Sequence, residues 1–140
     1  IIIAGTGPLK EELNKLITKN RLEPHIKLLG HIDSEKFFKQ IDYFIFPSKF
    51  EGLSNALLEA QLYRKPSFVF DISSNSEVIE DRKNGFLFEY GETQKMAQEI
   101  INLSKDPQRL INIQDSCIIN LKKKFDKNIT NQQLIELLNE

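Results

Sequence analysis

Two glutamates are the residues of this chain best placed to do chemistry. Glu51 and Glu59 stand eight positions apart in PSKFEGLSNALLEA, from Pro47 to Ala60. Along a helix that step turns roughly 80° and rises about 12 Å at most, so the carboxylates do not form a hydrogen-bonded acid–base pair. They could instead grip two ends of one extended ligand whose middle crosses the start of the helix. Gly52, Ser54 and Asn55 at that start are small or polar. Free backbone N–H groups of a first helical turn favour an anion such as a pyrophosphate. Hydroxyls, then phosphates, then more hydroxyls describe a nucleotide sugar.

Other motifs point less sharply. GTGPLK, Gly5 to Lys10, sits between a strand pattern and a helix pattern, as a dinucleotide fingerprint does. Lys10 occupies the place of the third glycine, which normally lets helix and strand pack closely, so an NAD reading is weak. Gly5 and Gly7 are as readily explained by a plain tight strand-to-helix turn. Gly30, His31 and Ile32 lie just past a second strand, at the end where ligands bind in open α/β sheets. His25, after Pro24, reads as ordinary surface. There is no D-x-D, no paired His and no cluster of Cys, so no metal site is expected.

These residues need elements to hold them. Apolar runs ending at glycine or proline predict strands at 1–4, 26–29, 43–46, 67–70 and 86–88. Helical spacing predicts helices at 9–20, 33–40, 53–63, 76–80, 92–104, 107–124 and 130–138. The alternation argues for βα units and a parallel sheet covered on both faces, the Rossmann-like α/β class. Asn84-Gly85 reads as a turn, and LKKKF, 121–125, as a solvated helix end.

Composition narrows the classes. The 140 residues suit one domain, 1–140, and the net charge of -1 recruits neither nucleic acid nor anionic membrane. No apolar run approaches the ~18 residues of a membrane span. The one cysteine, Cys117, excludes an internal disulfide, reads as a buried helix-face thiol, and fits a reducing, cytoplasmic setting. The chain opens without Met directly on a strand pattern, IIIAG, and is expected to be an excised domain or a fragment of one.

IIIAGTGPLKEEL, IKLLGHI, the 41–60 segment, RKPSFVF, SEVIEDRKNGFLFEYGE and MAQEIINLSKDP follow one another in a set order and spacing. This series resembles the C-terminal, donor-binding domain of the family 4-type (group 1) retaining glycosyltransferases. Their E-x7-E signature falls on Glu51 and Glu59, and their architecture is GT-B, two Rossmann-like domains. The resemblance implies that Glu51 lies near the sugar and acts by orientation and electrostatics. Glu59 would take the ribose hydroxyls, and Gly52, Leu53, Ser54 and Asn55 would meet the diphosphate. Gly5 and Gly7 would lie beside the nucleotide, and Gly30, His31 and Ile32 beside the base. Glu77 matches a later glutamate whose loop usually carries glycines, here replaced by Ser and Asn.

The whole enzyme, by this resemblance, moves a hexose from a nucleoside-diphosphate sugar to a saccharide or lipid-linked acceptor in cell-envelope polysaccharide synthesis. It would need no cofactor or metal. It would act in the cytoplasm, with peripheral association at the inner face of the membrane. The first strand of the domain, phosphate-binding Arg and Lys residues and the acceptor domain would lie upstream of Ile1, leaving the isolated chain inactive. A non-catalytic nucleotide-sugar-binding module and a GT-B nucleotide-sugar 2-epimerase are the alternatives.

Overall fold

The computed structural model describes residues 1–125. The helix expected at 130–138 lies outside them. In chain order the elements are β1 (Ile2–Ala4), α1 (Lys10–Lys19), β2 (Lys27–Gly30), α2 (Ser34–Lys39), β3 (Phe44–Phe46), α3 (Asn55–Leu62), β4 (Ser67–Phe70), α4 (Ser73–Val78), β5 (Gly85–Phe88), α5 (Thr93–Ser104) and α6 (Pro107–Phe125). Every strand pair is parallel, as the βα alternation predicts. The chain divides into two compact units, 1–40 and 41–140.

The first unit pairs β1 with β2. Asp33 caps α2 by accepting from the Lys36 N–H at 3.1 Å. The stripe Leu9, Leu13, Leu16 and Ile17 is helical as expected, yet only Ile17 is buried. Two strands and two short helices offer too little apolar surface to cover the other three.

The second unit has the strand order β3-β4-β5. Ser67–Phe70 is buried along its whole length, which explains why the central strand carries no polar alternation. Phe68 stacks on Phe86 with ring centroids 4.7 Å apart and meets Tyr43 edge-on at 6.0 Å. Phe70, Met96, Leu103 and Ile113 complete the core, so α5 and α6 fold back onto the strands that precede them. Asp106 accepts from the Arg109 N–H at 3.0 Å, the cap that Asp-Pro predicts for α6.

Two local expectations need correction. Helix α4 begins at Ser73, three residues before the pattern suggests. The Ile72 carbonyl receives the N–H groups of Asn75 and Ser76, and Asn75 Nδ2 donates to the Phe70 carbonyl at 2.9 Å. These bonds start the helix directly from the strand exit. Lys124 is not a merely solvated helix end, because its Nζ donates to the Glu77 carbonyl at 3.0 Å and faces Glu80. The turn expected ahead of β5 is present at 82–84, with Arg82 as its left-handed residue (φ 60°) and positive φ at neither Asn84 nor Gly85. Gly85 is required for another reason. A Cβ there would lie 2.6 Å from the Ser67 carbonyl, too close for any side chain.

Candidate functional site

The loop from Pro47 to Ser54 leaves β3 at the C-terminal edge of the second unit's sheet and feeds α3. Ser54 is the N-cap of α3, in extended backbone, and its Oγ accepts from the Leu57 N–H at 3.4 Å. Helix α3 therefore starts at Asn55 and not at Leu53. Leu57 and Leu58 both donate to the Ser54 carbonyl, whereas the Asn55 and Ala56 N–H groups, at the first turn, have no intrahelical acceptor. Those two groups and the positive end of the helix dipole point out of the N-terminus.

Glu51 lies three residues before the cap, in the loop, and its carboxylate is exposed. Ser48 Oγ donates to Glu51 Oε1 at 3.0 Å, which orients the acid without neutralising it. Among the described residues no cation is within ion-pairing distance of Glu51 or Glu59. Glu51 and Gly52 line a cavity of about 420 Å³ together with Lys49, Phe50, Ile72, Ser73 and Ser74. A side chain at Gly52 would meet no atom within 4 Å, so the space beside its backbone is open. Phe50 beside it is 90% exposed. Lys49 Nζ stands 4.4 Å from the centre of the Tyr90 ring, reaching from the exit of β3 to the exit of β5.

The expected residues are only partly gathered here. Glu59 is half-buried on α3, with Leu57, Ala60 and Gln61 facing the core. Glu59, Leu53, Ser54 and Asn55 do not line the cavity, although Glu59 and Asn55 share its neighbouring helix. Glu77 is exposed on α4 and does not line it either. In the first unit the Gly5 N–H donates to the Gly30 carbonyl at 2.7 Å, tying the two loops that leave β1 and β2. Gly5 has φ of 123°, a backbone state that side chains rarely adopt, and Gly30 has 68°. Gly7 and His31 are exposed and Ile32 is partly covered. Sequence reasoning missed Ser48 as the partner of Glu51, and missed Lys49, Ser73 and Ser74 as cavity walls. A serine three residues ahead of a loop glutamate was the available signal for the first. The others come from separate loops and left no signal.

A sequence model of the family described as "Glycosyl transferases group 1" matches residues 1–106. The chain belongs to the group 1 glycosyltransferases. Within that family it is 32% identical over 103 residues to the poly(ribitol-phosphate) alpha-N-acetylglucosaminyltransferase of Staphylococcus aureus, covering 72% of this chain and 21% of the relative. It is 30% identical over 114 residues to the Escherichia coli UDP-Gal:alpha-D-GlcNAc-diphosphoundecaprenol alpha-1,3-galactosyltransferase, covering 80% of this chain and 29% of that protein. The crystal structure of Anabaena Alr3699/HepE in complex with UDP superposes with a TM-score of 0.86 at 28% identity, over 99% of this chain and 40% of the other. The chain thus spans less than a third of the length of either curated relative. The α/β fold with parallel sheets agrees with that of its group 1 relatives. Among the described residues no helix is long and apolar enough to cross a membrane.

Proposed function

We propose that this chain is the donor-binding portion of a retaining glycosyltransferase, one that moves a hexose from a nucleoside-diphosphate sugar to a saccharide or lipid-linked acceptor. The observation that carries the proposal is the exposed carboxylate of Glu51, oriented by the Ser48 hydroxyl on a cavity wall three residues before the cap of α3. The first turn of α3 receives the diphosphate through the Asn55 and Ala56 N–H groups, with Gly52 leaving room for the phosphates. Glu59 accepts from the ribose hydroxyls. Glu51 accepts from a sugar hydroxyl, fixes the donor's orientation and stabilises the positive charge that develops at the anomeric carbon. The helix dipole and side-chain cations meet the leaving diphosphate, with no metal assigned. Glu77 is assigned to the sugar end. The turns at Gly5, Gly7, Gly30, His31 and Ile32 are assigned to nucleotide contacts on the family likeness.

The UDP bound in the Anabaena structure and the UDP-Gal in the name of the E. coli relative support a uridine donor. The diphosphoundecaprenol in that name supports a lipid-linked acceptor, and with it an envelope polysaccharide and a place at the cytoplasmic face of the membrane. Incubating the full-length protein with UDP-glucose, UDP-galactose, UDP-N-acetylglucosamine and GDP-mannose tests the reading. Release of nucleoside diphosphate with an α-linked glycoside, seen by anomeric proton NMR, is the expected result. Binding without release would favour a non-catalytic module, and conversion to the 2-epimeric nucleotide sugar would favour an epimerase.

A further inference from the structure

Asn84 precedes Gly85 in what the sequence presents as a simple turn, but the backbone there does not need an asparagine. Its φ is not positive, and the left-handed position of the turn belongs to Arg82. The side chain is instead fully buried, and each of its polar atoms is used. Nδ2 donates to Gln61 Oε1 at 2.8 Å and to the Val78 carbonyl at 3.0 Å, while Oδ1 accepts from the Glu80 N–H at 2.7 Å. Gln61, also fully buried, donates from Nε2 to Ser67 Oγ at 3.0 Å and to the Asn84 carbonyl at 3.3 Å. Two buried amides are costly unless every donor and acceptor is met, and then they hold one geometry.

Their placement gives that geometry a consequence. Gln61 is two residues after Glu59 on α3, roughly 200° around the helix, so locking Gln61 inward fixes Glu59 on the opposite side. Val78 and Glu80 mark the C-terminal end of α4, directly after Glu77. One side chain therefore clamps the helix carrying Glu59 to the end of the helix carrying Glu77. We propose that Asn84, acting through Gln61, is a positioning residue that sets α3 and α4 against each other, and with them the donor-contacting carboxylates. This rests on the donor-site reading above.

The test uses the full-length protein with Asn84→Ala, Gln61→Met and, as a control of the core away from the network, Leu103→Ala. UDP affinity is measured by calorimetry and Tm by circular dichroism. Asn84→Ala is expected to weaken UDP at least ten-fold and Gln61→Met at least three-fold. Leu103→Ala should lower Tm with UDP affinity within two-fold of wild type. UDP affinity within two-fold of wild type in the network variants would overturn the proposal, since a purely structural role moves Tm alone. If Asn84→Ala does not fold, Gln61→Met decides by its own threshold. Failure of the wild-type protein to bind UDP would count against the uridine-donor reading instead. Backbone amide exchange would then decide the positioning role. Faster exchange along both α3 and α4 in the network variants supports it, and a change confined to 78–85 overturns it.

Discussion

Glu51 carries its charge on a loop and Glu59 carries its charge on a helix, and the two should answer mutation differently. The Glu51 carboxylate is held by one hydroxyl, that of Ser48, and lines a cavity. In Glu51→Gln the shape survives and the charge is lost, so donor affinity should stay within a few-fold while turnover drops by roughly 10²–10³, the usual loss for one preorganised electrostatic partner. Steady-state kinetics of the full-length protein check this, and near-normal turnover would make Glu51 a loop-shaping residue only. Glu59→Ala removes the assigned ribose contact. Hydrogen bonds to a charged group are worth roughly 1.5–3 kcal/mol, so UDP should bind about ten-fold more weakly or worse. Glu51→Ala should cost far less with UDP, which lacks the sugar. Equal losses in calorimetry would refute the division of labour.

At the scale of elements, the close approach of β4 to β5 leaves no room for a side chain at Gly85. Gly85 faces the Ser67 carbonyl and the Ile79 side chain, and a Cβ would lie 2.6 Å from the former and 3.1 Å from the latter. Backbone cannot swing aside as a side chain can, so Gly85→Ala should destabilise the protein by about 1–3 kcal/mol. Urea denaturation of the full-length protein measures it, with a change in midpoint and little change in slope. A neutral result would mean that the two strands separate freely at that point. Ser67 also supplies the hydroxyl that accepts from Gln61, so strand spacing and helix rotation are coupled at one residue.

At the scale of the molecule, the second unit is built around aromatic rings and α6. Cys117 on α6 is fully buried, and its Sγ donates to the Asn84 carbonyl at 3.4 Å. Burial pushes its thiol up from the usual 9.0 to about 12. The folded chain therefore keeps a proton that the unfolded chain loses first. Its contribution to stability is complete below about pH 9 and disappears as pH rises towards 12. Thermal denaturation between pH 8 and 11 should show a steeper loss in the native protein than in Cys117→Ala. A thiol reagent at pH 8 should label Cys117 only after unfolding, and rapid labelling of the folded protein would show that the thiol is reachable.

Much of this protein was legible in its residue order. Short apolar runs closed by glycine or proline, helical spacing and the Asp33 and Asp106 caps depend on neighbours within a few positions. They therefore specify local structure wherever the chain goes. The Glu51 and Glu59 spacing and the small residues between them are local in the same way, so a candidate site could be proposed from them, of which only Glu51 and Gly52 line the cavity. The tertiary structure decided what joins distant positions. It bonded Asn84 to Gln61, 23 residues away, and Lys124 to Glu77, 47 residues away. It left Leu9, Leu13 and Leu16 exposed, and it brought Ser73 and Ser74 to the same cavity as Glu51. It also gave Asn84 and Gly85 purposes other than a turn. A buried amide pair and a glycine whose Cβ would fall 2.6 Å from a facing carbonyl arise only once two strands and a helix have packed, so no pattern of neighbours could announce them.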